Sequence, residues 1–210
     1  MCPGGMVVAA ASEPHCVVTN GMSQYSRNER NANAGIVVGI NPADFLPATK
    51  SGSGLVHPLA GIEFQRAIEA NAYILGGSTY EAPGQLVGDF LAAKASQEFG
   101  TVLPSYQPGV HLTDLSTSLP SYAIEAIREA IPVFEKKIKG FSMADAVLTG
   151  VETRTSAPLR ITRGSNYQSV NIKGLYPAGE GAGYAGGILS AGVDGIKVAE
   201  ALALDLVNRR

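Results

Sequence analysis

Charge is scarce in this sequence. Acidic and basic side chains make up 16% of its 210 residues, against roughly 25% in an average globular domain. Lys plus Arg number 16 and Asp plus Glu 18, leaving a net charge of −2. No basic footprint exists for a nucleic acid or an anionic membrane surface. Long apolar runs are lacking too, since none reaches the roughly 18 residues of a membrane span. The start shows neither the basic nor the apolar region of a signal peptide. The two cysteines lack zinc-type spacing, and the three histidines, His15, His57 and His111, share none. No metal site is therefore expected, and a reducing, cytoplasmic setting is. Internal repeats and low-complexity tracts are also missing.

What is present is apolar and rich in glycine. Hydrophobic residues reach 45%, which excludes disorder, and glycines number 25. Such a chain buries much of itself or is buried against something else.

The pattern along the chain reads as mixed α and β. Residues 6–11, 16–19 and 35–40 are β-rich, and Asn20-Gly21 reads as a turn. If Ala11 faces Cys16, paired positions sum to 27 and Cys2 faces Tyr25, which argues against a Cys2–Cys16 disulfide. Residues 28–33 read as a polar loop and 41–58 as an exposed, mobile connection. A helix is expected over 59–75, with Phe64, Ile68 and Leu75 on one face and Gly76-Gly77 at its end. A second is expected over 85–96 and a third over 120–131, with Ile124, Ile127 and Ile131 in one stripe before Pro132 breaks or kinks it. Residues 100–120 read as loop, and Glu135-Lys136-Lys137 as a solvated charge run. Strands are expected over 146–152 and 159–163.

The C-terminal segment is the most informative. Residues 174–178 read as a short apolar strand. A glycine-rich turn follows, Gly179-Glu180-Gly181-Ala182-Gly183-Tyr184-Ala185-Gly186-Gly187. The longest helix then covers 188–207, with Ile188, Gly192, Ile196, Ala199, Ala203 and Leu206 on its inner face and Asp194 and Asp205 largely opposite. Glycines let a ligand approach the backbone, and a helix start offers unsatisfied N–H groups and the positive end of a dipole. Glu180 suits hydroxyl groups, which donate to a carboxylate, and does not suit a bare phosphate. Close packing of small residues explains the same glycines equally well.

Taken in order, several stretches resemble a known family. They are Met1-Cys2-Pro3-Gly4-Gly5, Val18-Thr19-Asn20-Gly21-Met22-Ser23, Pro58-Leu59-Ala60-Gly61, residues 148–158 and residues 174–187. The chain is similar to the C-terminal part of a family of uncharacterised FAD-dependent dehydrogenases of bacteria and plastids. The resemblance implies two parts. Residues 1–170 would form an inserted substrate domain of mixed strands with a helical subregion at about 58–138. Residues 171–210 would form the last strand and helix of a Rossmann-like FAD domain, an α/β fold that is α+β in part.

The same resemblance implies FAD as cofactor in the intact parent. The implied FAD-binding residues are Gly179, Glu180, Gly181, Ala182, Gly183, Gly186, Gly187 and Ile188. It also implies a small-molecule substrate, with a pyridine nucleotide, NAD(P)H, as one possible redox partner. The expected departure is the opening G-x-G-x-x-G element after a first strand, which holds the ADP half of the cofactor. The chain is expected to lack it, to be a C-terminal fragment, and to hold FAD poorly alone. A non-catalytic alternative is a truncated domain that self-associates, or pairs with the missing half, through an unpaired strand and an apolar helix face.

Other residues carry two readings. Arg154 and Thr155 lie in a polar loop before Pro158. They read either as a catalytic loop with Arg154 holding an anion, or as a loop fixed by a Glu152–Arg154 pair. Asn20, Ser23, Tyr25 and Arg27 read as a substrate-pocket lining or a solvated turn. Cys2 reads as a thiol beside flavin or a small packing residue.

Overall fold

The computed structural model describes residues 3–44 and 57–208. The elements run in the order β1 (Gly5–Ala9), β2 (Thr19–Ser23), α1 (Ala60–Leu75), β3 (Ala82–Leu86), α2 (Val87–Leu91), β4 (Val110–Leu112), α3 (Ser121–Lys137), β5 (Val147–Thr149) and α4 (Ile188–Asn208). The architecture is mixed α/β with two small sheets. The chain divides into two compact units, Met1–Asn41 with Phe64–Thr153, and Pro42–Glu63 with Arg154–Arg210. Most of the connection expected over 41–58, and Cys2 with its expected pairing, lie outside the described residues. Among the described residues no helix is long and apolar enough to cross a membrane.

In the first unit β1 and β2 pair antiparallel, from Gly5 opposite Ser23 to Ala9 opposite Thr19, so paired numbers sum to 28. The expected register was off by one, and Asn20-Gly21 lies inside β2, not in a turn. The reason is local packing. A Cβ on Gly21 would collide with the Oδ1 of Asn33, so this glycine serves a close approach within a strand. Cys16, Val17 and Val18 precede β2 and are buried, with the Val17 N–H donating to the Glu69 carbonyl at 3.0 Å. Residues 35–40 join no ladder, but Ile36 and Val38 pack onto the core.

The second sheet has the order β4-β3-β5, with β3 parallel to β4 and antiparallel to β5. Its central strand is Ala82-Pro83-Gly84-Gln85-Leu86, a sequence whose Pro and Gly argue against a strand. Both are accommodated. Pro83 uses its carbonyl to accept the Gly150 N–H at 2.8 Å. Gly84 leaves room for a Val110 side chain that any Cβ would strike. The helix expected over 85–96 therefore shrinks to α2, because Gln85 and Leu86 belong to β3 and Ala93 turns to φ +54°. The expected loop over 100–120 contains β4 and a 3-10 turn, Leu115–Thr117, whose Ser116 N–H donates to the Asp114 carboxylate at 2.8 Å.

Helix α1 ends at Gly76-Gly77 as expected, with Gly77 at φ +82°. Its buried face is centred on Glu69 and Ala72, while Phe64, Ile68 and Leu75 are half-buried. Helix α3 buries Ile124, Ile127 and Ile131 as the stripe predicts, but continues through Pro132 to Lys137. Pro132 stands on the exposed side of the helix, away from the buried isoleucine stripe, and withholds one helical N–H. Glu135 closes the segment after it: its carboxylate accepts from the N–H groups of Gly140 and Ser142 at 2.9 and 2.8 Å. The Ser142 N–H, foremost among these bonds, holds that carboxyl below its ordinary value.

Two apolar clusters fill the unit. One joins Val17, Ala72, Ala82, Tyr106, Val110 and Val151. The other joins Val87, Phe90, Leu115 and the three isoleucines of α3. Each buried valine, leucine, isoleucine or phenylalanine among them contributes roughly 1.5–3 kcal/mol.

The second unit is built differently. Residues 174–178 form no strand, because no neighbouring strand is there to pair with them among the described residues. The Leu175 carbonyl instead accepts from the Ser169 N–H at 2.8 Å, and the Pro177 carbonyl from the Arg163 guanidinium at 2.7 Å. Of 159–163 only Arg163 bridges, antiparallel to Ser169. Helix α4 has the expected extent but the opposite facing. Ala191, Asp194, Gly195, Val198, Ala201 and Asp205 form its packed face, while Ile188, Gly192, Ile196, Ala199, Ala203 and Leu206 are exposed.

Candidate functional site

Asp194 is the pivot of the second unit. Its carboxylate receives both ends of the Arg163 guanidinium, at 2.9 and 2.5 Å, and the Gly179 N–H at 2.8 Å. The paired side chains are only 9% and 14% exposed. The Arg163 bond, followed by that of Gly179, lowers the Asp194 carboxyl to about 2, while Arg163 is raised in turn. The guanidinium also lies over the Tyr184 ring, 3.7 Å from its centre, and the Tyr184 hydroxyl accepts from the Arg163 N–H at 2.9 Å. A second clasp runs from Gln168 through the Tyr176 hydroxyl to Asp205 on α4, at 2.9 and 2.5 Å. One charge-assisted network thus fixes the glycine-rich turn against the first half of α4.

That turn has two kinds of glycine. Gly179 and Gly183 lie at φ +67° and +80°, where L side chains are strained. A Cβ on Gly183 would also come within 2.6 Å of the Leu159 carbonyl oxygen. Ala182 is buried, and its carbonyl accepts from the Ile161 N–H at 3.2 Å. These positions hold the turn to residues 159–161. Glu180, Gly181, Gly186, Gly187 and Ile188 are exposed, and nothing stands within 4 Å of where a Gly181 Cβ would be. The first helical hydrogen bond of α4 runs from the Ala191 N–H to the Gly187 carbonyl at 2.8 Å. The N–H groups of Ile188, Leu189 and Ser190 precede it and lack helical acceptors.

The loop carrying Arg154 and Thr155 reaches the same place. A Cβ on Gly186 would lie 3.5 Å from the Thr155 carbonyl oxygen and 3.9 Å from the Ser156 Cβ. Arg154 is half-buried and Thr155 exposed. Beside the first turns of α4 a shallow recess of about 340 Å³ is lined by Tyr184, Leu189, Ser190, Val193, Asp194 and Lys197. The structure therefore gathers Arg154, Thr155, Gly186, Gly187 and Ile188 at one end of this unit. Asn20, Ser23, Tyr25 and Arg27 belong to the first unit, where Asn20 alone of the four lines a cavity.

Sequence reasoning missed two things. The sequence pattern does not single out Arg163 and Asp194, because a polar Asp194 reads as part of the outer side of α4. The signal was available: Asp194 and Asp205 share one stripe with small residues, a pattern suited to a packed face with buried partners. The second miss is a spacing. Gly181-Ala182-Gly183-Tyr184-Ala185-Gly186 is literally G-x-G-x-x-G and opens a helix, which corrects the expectation that no such motif occurs. It lacks the paired strand that would precede it in a dinucleotide fold, since 174–178 form none.

Comparison with known proteins adds the following. Residues 1–155 match the family model described as FAD-dependent protein, C-terminal domain-like. An uncharacterised protein of Clostridium beijerinckii (strain ATCC 51743 / NCIMB 8052) is 54% identical over 200 residues, 95% of this chain. The chain spans 36% of that relative's length.

Proposed function

Because the chain belongs to the FAD-dependent protein, C-terminal domain-like family, we propose that it is part of an FAD-dependent oxidoreductase that passes hydride between a small-molecule substrate and flavin. The family match is the observation that supports this reading most. When bound, the flavin supplies the two-electron chemistry. The residues present fit a portion of such a cofactor. Glu180 offers an exposed carboxylate to sugar-type hydroxyls. The N–H groups at the start of α4 favour negative charge, as a reduced flavin ring carries. Arg154, on the loop beside Gly186, holds an anionic group of the substrate. Gly179, Ala182 and Gly183 keep the turn in shape. The ADP half finds no strand-supported glycine turn among the described residues, so the chain alone retains FAD weakly. A pyridine nucleotide or another acceptor closes the cycle, in a cytoplasmic setting.

The test is the visible spectrum of the protein after FAD is added and the sample desalted. The full-length parent is expected to stay yellow, and Glu180→Ala to lower its flavin content without unfolding it. Arg154→Ala is expected to raise KM with flavin still bound. A parent that never retains flavin overturns the reading, and unchanged flavin content in Glu180→Ala removes that residue's role.

One observation favours a second reading, a non-catalytic piece that joins other protein. The outward face of α4 is apolar, with Ile188 92% and Leu189 85% exposed.

A further inference from the structure

The first unit contains a cavity of about 540 Å³, within the roughly 300–1,000 Å³ typical of small-molecule sites. Its inner wall is the second apolar cluster, with Phe90, Leu115, Ile124, Ile127 and Ile131 among its lining residues. Phe141 and Met143, from the segment after α3, also line it. Polar groups also line it, among them Asn20, Asn31, Ser105 and Arg30. Arg30 is the one cation of the lining and Glu152 the one carboxylate.

These two charges are answered differently. Glu152 has a partner within the chain. Arg30 donates one N–H to the Thr101 carbonyl at 2.7 Å and stands in no ion pair among the described residues. The nearby Asp145 carboxylate is taken up instead by the Thr101 N–H, at 2.9 Å, and by the Thr101 hydroxyl. A guanidinium has five N–H donors in a planar fork that matches a carboxylate. A cavity with an aliphatic and aromatic wall and one unanswered guanidinium selects a molecule of matching polarity.

We infer that this cavity binds an amphipathic monocarboxylate, its apolar body among Phe90, Leu115 and the isoleucines of α3 and its carboxylate on Arg30. As the substrate class of the parent enzyme this rests on the oxidoreductase reading. As a binding site it does not.

The experiment is a calorimetric titration of the full 210-residue chain with dodecanoate below its micellar concentration, and with dodecanol as the uncharged control. Saturable one-to-one binding of dodecanoate is expected. Dodecanol with the native chain, and dodecanoate with Arg30→Ala, are each expected to bind roughly tenfold or more weakly, the loss of one charge-assisted fork. Arg30→Lys, a point charge without the fork, falls between. Met143→Trp, which fills the cavity from a side chain 46% exposed, is expected to reduce binding of both probes. Arg30 is exposed, so its replacement leaves the fold intact, as circular dichroism checks. Absence of saturable binding overturns the proposal. So does equal binding of dodecanoate by the native chain and by Arg30→Ala, which places the probe elsewhere, such as the apolar face of α4. Because no flavin enters the titration, a full-length parent that never retains flavin, beside Arg30-dependent binding by this chain, removes only the flavin reading. A parent that stays yellow, with no such binding by this chain, removes only this one.

Discussion

Single side chains here divide into those that answer a buried partner and those that stand open. Gln85 is 1% exposed in the central strand and joins two segments: its amide donates to the Lys94 carbonyl at 2.7 Å, and its oxygen accepts from the Leu115 N–H at 2.9 Å. Gln85→Leu fills the same space and strands both partners, so it is expected to cost about 1–3 kcal/mol in chemical denaturation. The Arg163–Asp194 pair makes a pH-dependent contribution whose sign is fixed. Asp194 is held at about 2 in the folded chain against an ordinary 3.8. A depressed carboxylate stabilises the folded state fully above its unfolded value, and that contribution fades as pH falls from about 4 toward 2. Asp194→Asn is therefore expected to be less stable than the native chain at pH about 6, by roughly 2–4 kcal/mol for breaking a largely buried pair. Denaturant midpoints of the two proteins should converge as the pH drops to about 2. A constant gap across that range would show that the pair does not titrate in this window.

At the scale of elements, periodicity was readable where burial is one-sided and failed where packing overrode composition. The stripe Ile124, Ile127, Ile131 located α3 because one apolar cluster takes that face. The strand β3 was illegible because Pro83 and Gly84 are strand breakers whose roles appear only once Gly150 and Val110 lie beside them. Asn20-Gly21 misled for the same reason, since Asn33 arrives from elsewhere in the chain. In α4 the apolar stripe was seen correctly, but its assignment to the inside assumed that apolar means covered. The glycine-rich turn was legible as a unit, whereas its anchors Arg163 and Asp194 lie 31 positions apart and needed the fold. Helix α3 offers a test of this scale. Pro132 stands exposed inside a continuous helix and withholds one hydrogen bond. Pro132→Ala is expected to stabilise the chain by about 1–3 kcal/mol. An unchanged melting temperature would mean that the helix has already relaxed around the proline.

The whole molecule combines a unit with its own apolar core and a unit held by polar clasps. In the second, Asp194, Val198 and Asp205 face inward while Ile188, Leu189, Ile196, Leu204 and Val207 are 63–92% exposed. Such a face is costly in water, at roughly 25 cal/mol per Å² of apolar surface that contact would remove from it. These residues recur at helical spacing, with the exposed Glu200 standing between Ile196 and Leu204. A second copy of the chain offers an identical face, and two antiparallel α4 helices would bury both. The isolated chain is accordingly expected to self-associate, as read by sedimentation velocity over a concentration series. Leu189→Glu with Ile196→Glu places like charges in that contact and is expected to leave a monomer with a little-changed melting temperature, because both side chains are mostly exposed. A native chain that stays monomeric at high micromolar concentration overturns this, and so does a double variant that still associates, which would move the contact to another surface. If further sequence, as in the longer relative, covers the same face, a protein of that length should show neither the association nor the sensitivity to these two substitutions in its oligomeric state.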